Sequence, residues 1–321
     1  MQSASRPIAG VDYPSGWDAL NAWFADDEAC LRYLERLRWP DGFVCRACGV
    51  VGEPWRQSRG RLTCSSCRHQ SSVTAGTVFE KTRTPLRTWF AAVWYVTNQK
   101  SGASALGLQR VLGLGSYETA WLMLHKLRRA MVRPERAPLD GLVEVDETYV
   151  GGAEESGVSG RQLVRKALVV IAVELRDPRG FGRVRMRHVQ DASNRSLVGF
   201  VREVVAQGAT VKTDGWKGYR SLSKHGFDHE VVNLSQGKED PSTAMPGVHR
   251  VASLLKRWLI GIHHGAVRAE QLQVYLDEFT FRFNRRTSRA RGLLFYRLLE
   301  QAVVTPASTY TNVTERDIAT T

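Results

Sequence analysis

The sequence predicts an α/β protein: a mixed sheet with flanking helices, preceded by a small cysteine-stapled module and a helical region. Three observations predict it. Two Cys-x-x-Cys pairs lie in a glycine- and turn-rich stretch near the N-terminus. A proline-containing linker, RPERAP at 133–138, ends a run of helical periodicity, since proline lacks the N–H that a helix interior needs. Beyond it the hydrophobic period changes, and three strand-like runs are followed by alternating helices and strands. That is the order of an RNase-H-like sheet.

Taken along the chain, residues 1–37 read as a flexible leader and a helix over 17–37, with Leu20, Trp23, Phe24, Leu31, Leu34 and Leu37 at helical spacing. Residues 38–80 form the cysteine module. Residues 81–138 form a helical region and linker: a helix from Leu86 to Lys100, a break at Gly102, then a helical pair to Val132. Residues 139–303 form the sheet domain. Its strands are 141–150, 166–175, 182–189, 209–213 (ending at Asp214) and 229–233. The run KALVVIAVEL suits a strand buried on both faces. In 182–189, Arg183, Arg185 and Arg187 alternate with Val184, Met186 and His188, which predicts one wet face. Helices are expected over 193–206, capped by Ser193 or Asn194, and over 216–222, 249–262, 267–284 and 292–303. Residues 304–321 are a polar, flexible tail.

Composition narrows the partners. The 321 residues carry 45 Lys and Arg against 32 Asp and Glu, a net charge of +13, and such chains commonly neutralise phosphates. Charge alone leaves a merely soluble basic protein equally open. No apolar run reaches the roughly 20 residues of a membrane span, so no membrane is expected. The N-terminus has no apolar core of a secretory signal. A cytoplasmic, reducing setting follows, where paired cysteines bind metal more often than they form disulfides.

Cys45-x-x-Cys48 and Cys64-x-x-Cys67 are separated by residues 49 to 63. This is four-cysteine zinc-ribbon spacing. Two residues between cysteines let one tight turn aim both thiolates at one tetrahedral Zn²⁺, and the second turn completes the shell. Gly49 eases the first turn. Four thiolates leave no open position, so the zinc is structural; Cys30 reads as core and His69 is not needed.

Phosphodiester cleavage by the two-metal route needs clustered carboxylates at rigid strand ends. Asp146 lies on the first strand of the sheet domain and Asp214 at the end of the fourth, strands that neighbour each other in this topology. Glu144 and Glu147 flank Asp146, and Glu144 shares its strand face, so it stays open as an alternative. No Asp or Glu stands between Val248 and Arg268. His249 heads the helix there, with Lys256 two turns on along the same face. Glu278 is the rival carboxylate, but Tyr275, Phe279 and Phe283 around it mark a core-facing helix, so it reads as structural.

Residues 102–131 read as a helix-turn-helix. Lys126, Arg128 and Arg129 are candidate phosphate contacts, and Tyr117, Glu118 and Thr119 stand where base contacts usually fall. The alternative is a helical hairpin packed on the core by Trp121, Leu122, Leu124 and Leu127. Arg282, Arg285, Arg286, Arg289 and Arg291 suit a phosphate-contacting edge or a solvated basic face.

At these residues the chain resembles the insertion-sequence transposases with an N-terminal zinc ribbon and an ISXO-type DDE domain, the family of insertion sequence fifteen ninety-five. The motifs, in this order, are CRACG, CSSCRHQSSVTAGTVFEKTRTPLRTWF, LQRVLGLGSYETAWLMLHKLRRAM, VEVDETYVGG, TDGWKGY, HRVASLLKRWLIGIHHG and YLDEFTFRFNRR, and the resemblance as a whole covers roughly residues 20–303. The resemblance implies a catalytic set of Asp146, Asp214 and His249 with Lys256, two Mg²⁺ or Mn²⁺ ions, and metal-dependent cleavage at transposon ends followed by strand transfer. DDE enzymes generally carry Glu at the third position; this family often has Asn or His. A neutral imidazole adds no negative charge and should weaken Mg²⁺ binding, because hard cations prefer oxygen. The implied partners are double-stranded DNA, both terminal inverted repeats and target, and further copies of the chain in a homodimer or larger assembly, in a nucleoid-associated setting. A non-catalytic zinc-ribbon DNA-binding regulator is the alternative, and a stand-alone nuclease a second.

Overall fold

A computed structural model of the chain describes residues 6–133, 135–151, 166–176, 180–232, 241–263, 267–309, 311 and 313. These divide into two compact units: the chain up to Arg133 together with the stretch from Ser288, and the chain from 134 to Thr287.

The first unit opens with α1 (Trp17–Trp23) and α2 (Asp27–Arg38). The single helix expected over 17–37 is broken because Asp26 caps a new one, its Oδ1 accepting from the Ala29 N–H at 2.8 Å. The expected loose leader is partly tied down. Tyr13 is buried, and the Tyr33 hydroxyl donates to the Asp12 carbonyl at 2.7 Å. The cysteine module holds β1 (Phe43–Val44) paired with β2 (Val51–Gly52), then a three-stranded sheet of β3 (Trp55–Gln57), β4 (Arg61–Thr63) and β5 (Gln70–Ser72). Next come α3 (Leu86–Asn98), α4 (Ala105–Leu112) and α5 (Tyr117–Arg129). Gly113 ends α4 in the left-handed region, at φ 63°, where glycine carries no side-chain penalty. Ser116 caps α5 by accepting from the Thr119 N–H at 3.1 Å.

The second unit is built on β6 (Leu142–Val150), β7 (Ala167–Leu175), β8 (Phe181–Val189), β9 (Thr210–Asp214) and β10 (Asp228–Val232). Their order is β10-β9-β6-β7-β8. β6, β7 and β8 pair antiparallel, while β9 is parallel to both β6 and β10. This is the mixed five-stranded sheet that the sequence predicts. Helix α6 (Asn194–Val204), capped by Ser193, covers one face with Val198, Val201 and Val204 against Val143, Val145 and Val211. After the short α7 (Pro241–Ala244), α8 (Pro246–His263) and α9 (Leu272–Phe283) cover the other with Val251, Leu255, Leu276 and Phe279 against Val169, Ile171 and Val173. β7 is buried on both faces, which explains its unbroken apolar run.

Two expectations are corrected here. The arginines of β8 do not form a wet stripe. Arg185 is buried and donates to the Val184 and Ala137 carbonyls, Arg183 pairs with Glu174, and Arg187 pairs with Glu203. Linker carbonyls, absent from the local pattern, take the Arg183 and Arg185 guanidinium groups, while the Arg187–Glu203 pair stays at the surface. The last helix, α10 (Arg291–Ala302), packs in the first unit, although the sequence reading ran the sheet domain to 303. Its Phe295 is fully buried, with ring centroids 5.9 Å from Phe24, 5.7 Å from Phe90 and 5.7 Å from Trp94. Gly292 lets α10 approach the chain at Pro14, whose carbonyl oxygen a Cβ would meet at 2.0 Å.

Candidate metal centres and acidic site

The four cysteine sulfurs converge as their spacing predicts, all within 4.8 Å of one another. Cys45 and Cys67 sulfurs are 3.6 Å apart, Cys48 and Cys64 3.7 Å. Each knuckle closes the same way. The Gly49 N–H donates to the Cys45 carbonyl at 2.8 Å, and the Arg68 N–H to the Cys64 carbonyl at 3.0 Å. Both fifth positions are left-handed, Gly49 at φ 72° and Arg68 at φ 63°. Arginine is an unusual occupant there. Its guanidinium lies 3.9 Å from the centroid of the Trp55 ring, a cation–π contact that offsets the backbone cost. Backbone N–H groups of Cys48 and Ala47, pointing at the Cys45 sulfur, pull that thiol down to about 6. The Cys64 thiol is pulled down in the same way, while the neighbouring sulfurs push Cys48 up, so without metal the negative charge is shared unevenly; four converging soft ligands fit Zn²⁺. His69 is exposed and Cys30 is buried; neither joins the set.

The acidic site is set by strand alternation. Val143 and Val145 point into the α6-side core, so Glu144 and Asp146 take the opposite face of β6. In the parallel ladder, Leu142 stands beside Thr210, Val143 beside Val211 and Glu144 beside Lys212. Asp146 and Asp214 each come two residues further along their own strand, past the paired stretch, and strand alternation puts Asp146 on the face of Glu144 and Asp214 on that of Lys212. Both are half-buried. The Oδ1 of Asp146 accepts from the Glu147 N–H at 2.8 Å, and that of Asp214 from the Trp216 N–H at 3.1 Å.

Glu147 faces the other way. Its Oε2 accepts from the buried Tyr219 hydroxyl at 2.8 Å, tying the turn after Asp214 to β6. Burial pushes the Tyr219 hydroxyl well above its ordinary range, and the charges of Glu147, Asp146 and Asp214 push it further. All three carboxylates therefore act on one buried phenol.

Glu144 is fully buried. Its Oε2 accepts from the N–H groups of Gly247 at 2.7 Å and Val248 at 3.0 Å, in the first turn of α8. Burial raises its carboxyl, opposed by those two donors. His249 follows at once. It is half-buried, and its Nε2 is enclosed without a hydrogen-bond partner among the described residues. Lys256 is exposed on the same helix. Two carboxylates and an enclosed imidazole nitrogen are a donor set that a divalent cation could join. Among the described residues, however, only the four cysteines already draw three or more candidate ligand atoms within 4.8 Å. Glu278 stands apart on α9. It is 1% exposed and is held by Arg282, with Nη2 at 2.7 Å and Nε at 2.8 Å from its Oε1. Tyr275, Phe279 and Phe283 of that helix are buried.

The expected phosphate contacts divide. Arg128 is corrected: it is buried and donates to the Ala103 carbonyl, because the i+4 position after Leu124 faces the core. Lys126 and Arg129 are half-buried, while Tyr117 and Glu118 are exposed at the start of α5. Leu124 and Leu127 are buried, as a packed hairpin requires. Arg282 is engaged by Glu278. Arg285 lies over the Phe281 ring at 4.0 Å and Arg286 over Phe283 at 4.1 Å, and Arg286 also donates to the carbonyls of Phe181, Gly182 and Phe283. Sequence reasoning missed Asn284, whose amide exchanges hydrogen bonds of 2.7 and 3.1 Å with the Val184 backbone. No local signal marks it.

A four-cysteine ribbon in one unit and, in the other, a mixed sheet with acidic residues on adjoining parallel strands define a zinc-ribbon protein with a DDE-type domain. Residues 138–284 match the ISXO2-like transposase domain, and residues 25–70 match the transposase zinc-ribbon domain. The chain belongs to this transposase family. It is also 27% identical over 274 residues to an "uncharacterized protein in transposable element ISH50" of Halobacterium salinarum, covering 81% of this chain and 91% of that relative. The domain match ends just past α9 and leaves out α10. No helix among the described residues is long and apolar enough to cross a membrane.

Proposed function

We propose that the protein cleaves double-stranded DNA at the terminal repeats of its element and joins the freed end to target DNA. The observation that supports this reading is the parallel pairing of β6 and β9, the two strands that carry Asp146 and Asp214, in a chain of transposase family. Water attacks the phosphodiester at the element's end and frees a 3′-hydroxyl. That hydroxyl attacks a target phosphodiester in turn and displaces the target strand's own 3′-oxygen, which leaves as a hydroxyl, without a covalent protein–DNA intermediate.

Asp146 and Asp214 are the residues to hold Mg²⁺ or Mn²⁺, with His249 as the third candidate. Bound divalent ions would activate the attacking oxygen and offset charge on the leaving one. His249 presents an imidazole nitrogen enclosed from water, and Lys256, further along α8, offers an ammonium to a phosphate. Glu147 and Tyr219 keep the turn after Asp214 against β6, which limits how far that carboxylate can move. Zn²⁺ on Cys45, Cys48, Cys64 and Cys67 holds the ribbon, and the exposed start of α5 with Lys126 and Arg129 is the DNA-facing part of the helical pair. Two element ends must be held together, so a dimer or larger assembly is proposed on nucleoid DNA.

The test is cleavage and strand transfer on duplexes carrying the element's ends, using wild type, Asp146→Asn and Asp214→Asn. Wild type should cut and join, and each variant should bind DNA and do neither. Binding by all three with no cutting would make the protein a regulator. Cutting without joining would make it a nuclease.

A further inference from the structure

We infer that Glu144 is a positioning residue that caps α8 from across the sheet and thereby sets where His249 stands relative to Asp146. The inference rests on the proposed function. Helix α8 starts at Pro246, preceded by Met245, and neither side chain can accept a hydrogen bond from the first turn. The first N–H groups of a helix have no partner within it, and Pro246 has none to offer, so Gly247 and Val248 need an outside acceptor. Glu144 supplies one oxygen to both, at 2.7 and 3.0 Å. A carboxylate is the acceptor favoured there, since the helix dipole places positive charge at that end.

The fit is close at the residue opposite. A Cβ at Gly247 would come 2.8 Å from the Glu144 Oε2 and 2.9 Å from the Leu175 Cδ2. A side chain at 247 would displace the Glu144 carboxylate and the Leu175 side chain from where they stand.

The clamp joins the strand that carries Asp146 to the helix that carries His249. Asp146 is one strand period beyond Glu144 on the same face, roughly 7 Å along β6. His249 is two residues beyond Gly247 on α8. The imidazole Nε2 has no hydrogen-bond partner among the described residues, so nothing at that atom fixes the ring. Its place follows from the backbone of α8, and that backbone is fastened at Glu144. A serine at 245 would cap the helix with far less desolvation than a buried carboxylate, but it would not fasten the helix to β6.

The test uses the full-length, zinc-loaded chain as wild type, Glu144→Gln and Glu144→Ala, titrated with Mn²⁺ alone. Free Mn²⁺ is followed by paramagnetic resonance, and the ¹⁵N ring signal of His249 is followed without Mn²⁺. Half-saturating Mn²⁺ should rise about tenfold in Glu144→Gln and further in Glu144→Ala, as for the loss of groups that orient metal ligands. The His249 signal should move in both. Wild-type values of both readouts in Glu144→Gln, with only the melting temperature lowered, would overturn the inference and leave a mere helix cap. If Glu144→Ala does not fold, Glu144→Gln decides by the same two readouts. If wild type takes up Mn²⁺ no better than Asp146→Asn, the proposed function fails, and the His249 signal alone decides the positioning.

Discussion

Replacing Glu278 separates a structural carboxylate from a catalytic one. The Glu278 side chain is 1% exposed and that of Arg282 15%, and two guanidinium nitrogens lie 2.7 and 2.8 Å from one carboxylate oxygen. Removing the acid alone leaves a guanidinium in a largely dry site. Such a loss costs about 3–5 kcal/mol, whereas replacing both partners by apolar residues is often neutral or stabilising. For a unit of this size, the single variant Glu278→Ala should lower the melting temperature by on the order of 10 °C. The pair Glu278→Leu with Arg282→Met should recover most of that. Calorimetry on both, with cleavage measured well below either transition, checks the reasoning. Folded Glu278→Ala and the double variant should cut DNA at a rate within a few-fold of wild type. A Glu278→Gln variant with unchanged melting and no cleavage would refute it, and would make Glu278 a member of the active site.

Three further outcomes are expected. Acid should release zinc. The Cys45 thiol sits at about 6 in the folded, metal-free knuckle against 9.0 ordinarily, so its thiolate favours the fold fully above pH 9, and that contribution is gone once the pH falls through 6. Metal analysis after dialysis should show zinc retained at pH 7.5 and lost below about pH 6, the ribbon's amide signals collapsing with it. Phe295→Ala should destabilise the first unit, not the sheet, by about 3–5 kcal/mol, read from amide exchange in α3. Exchange rising only around β6–β10 would contradict the packing of α10. Tyr219→Phe removes the hydrogen bond to Glu147 and should cost about 1.5–3 kcal/mol in denaturant unfolding, as for bonds to charged groups. No change would mean that Glu147 has turned to another partner.

How much was legible in the sequence differs by element. The period-2 and apolar runs located β6 to β10 to within one or two residues, because strand alternation is written in the side chains themselves. Helix boundaries were harder. The break at Asp26 and the early start of α8 at Pro246 depend on which acceptors cap each end, and for α8 the acceptor is Glu144, on a strand about a hundred residues earlier. The four cysteines announced their site by spacing alone. Arg128 and Arg185 looked like surface charge, yet each meets an acceptor brought in by another part of the fold, whereas Arg282 meets Glu278 one turn earlier on its own helix.

By itself the sequence determined the class of fold, the zinc-ligating cysteines and the candidate acids Asp146 and Asp214, since each rests on local spacing or periodicity. Only the tertiary structure decided that the strands carrying these two acids pair in parallel, that Glu144 caps α8 while Glu147 holds Tyr219, that Arg128 and Arg185 turn inward, and that α10 packs with the N-terminal unit. The reason is physical. An apolar helix face or a charged side chain specifies what kind of partner it needs, but which partner meets it is settled when distant segments close around a common core.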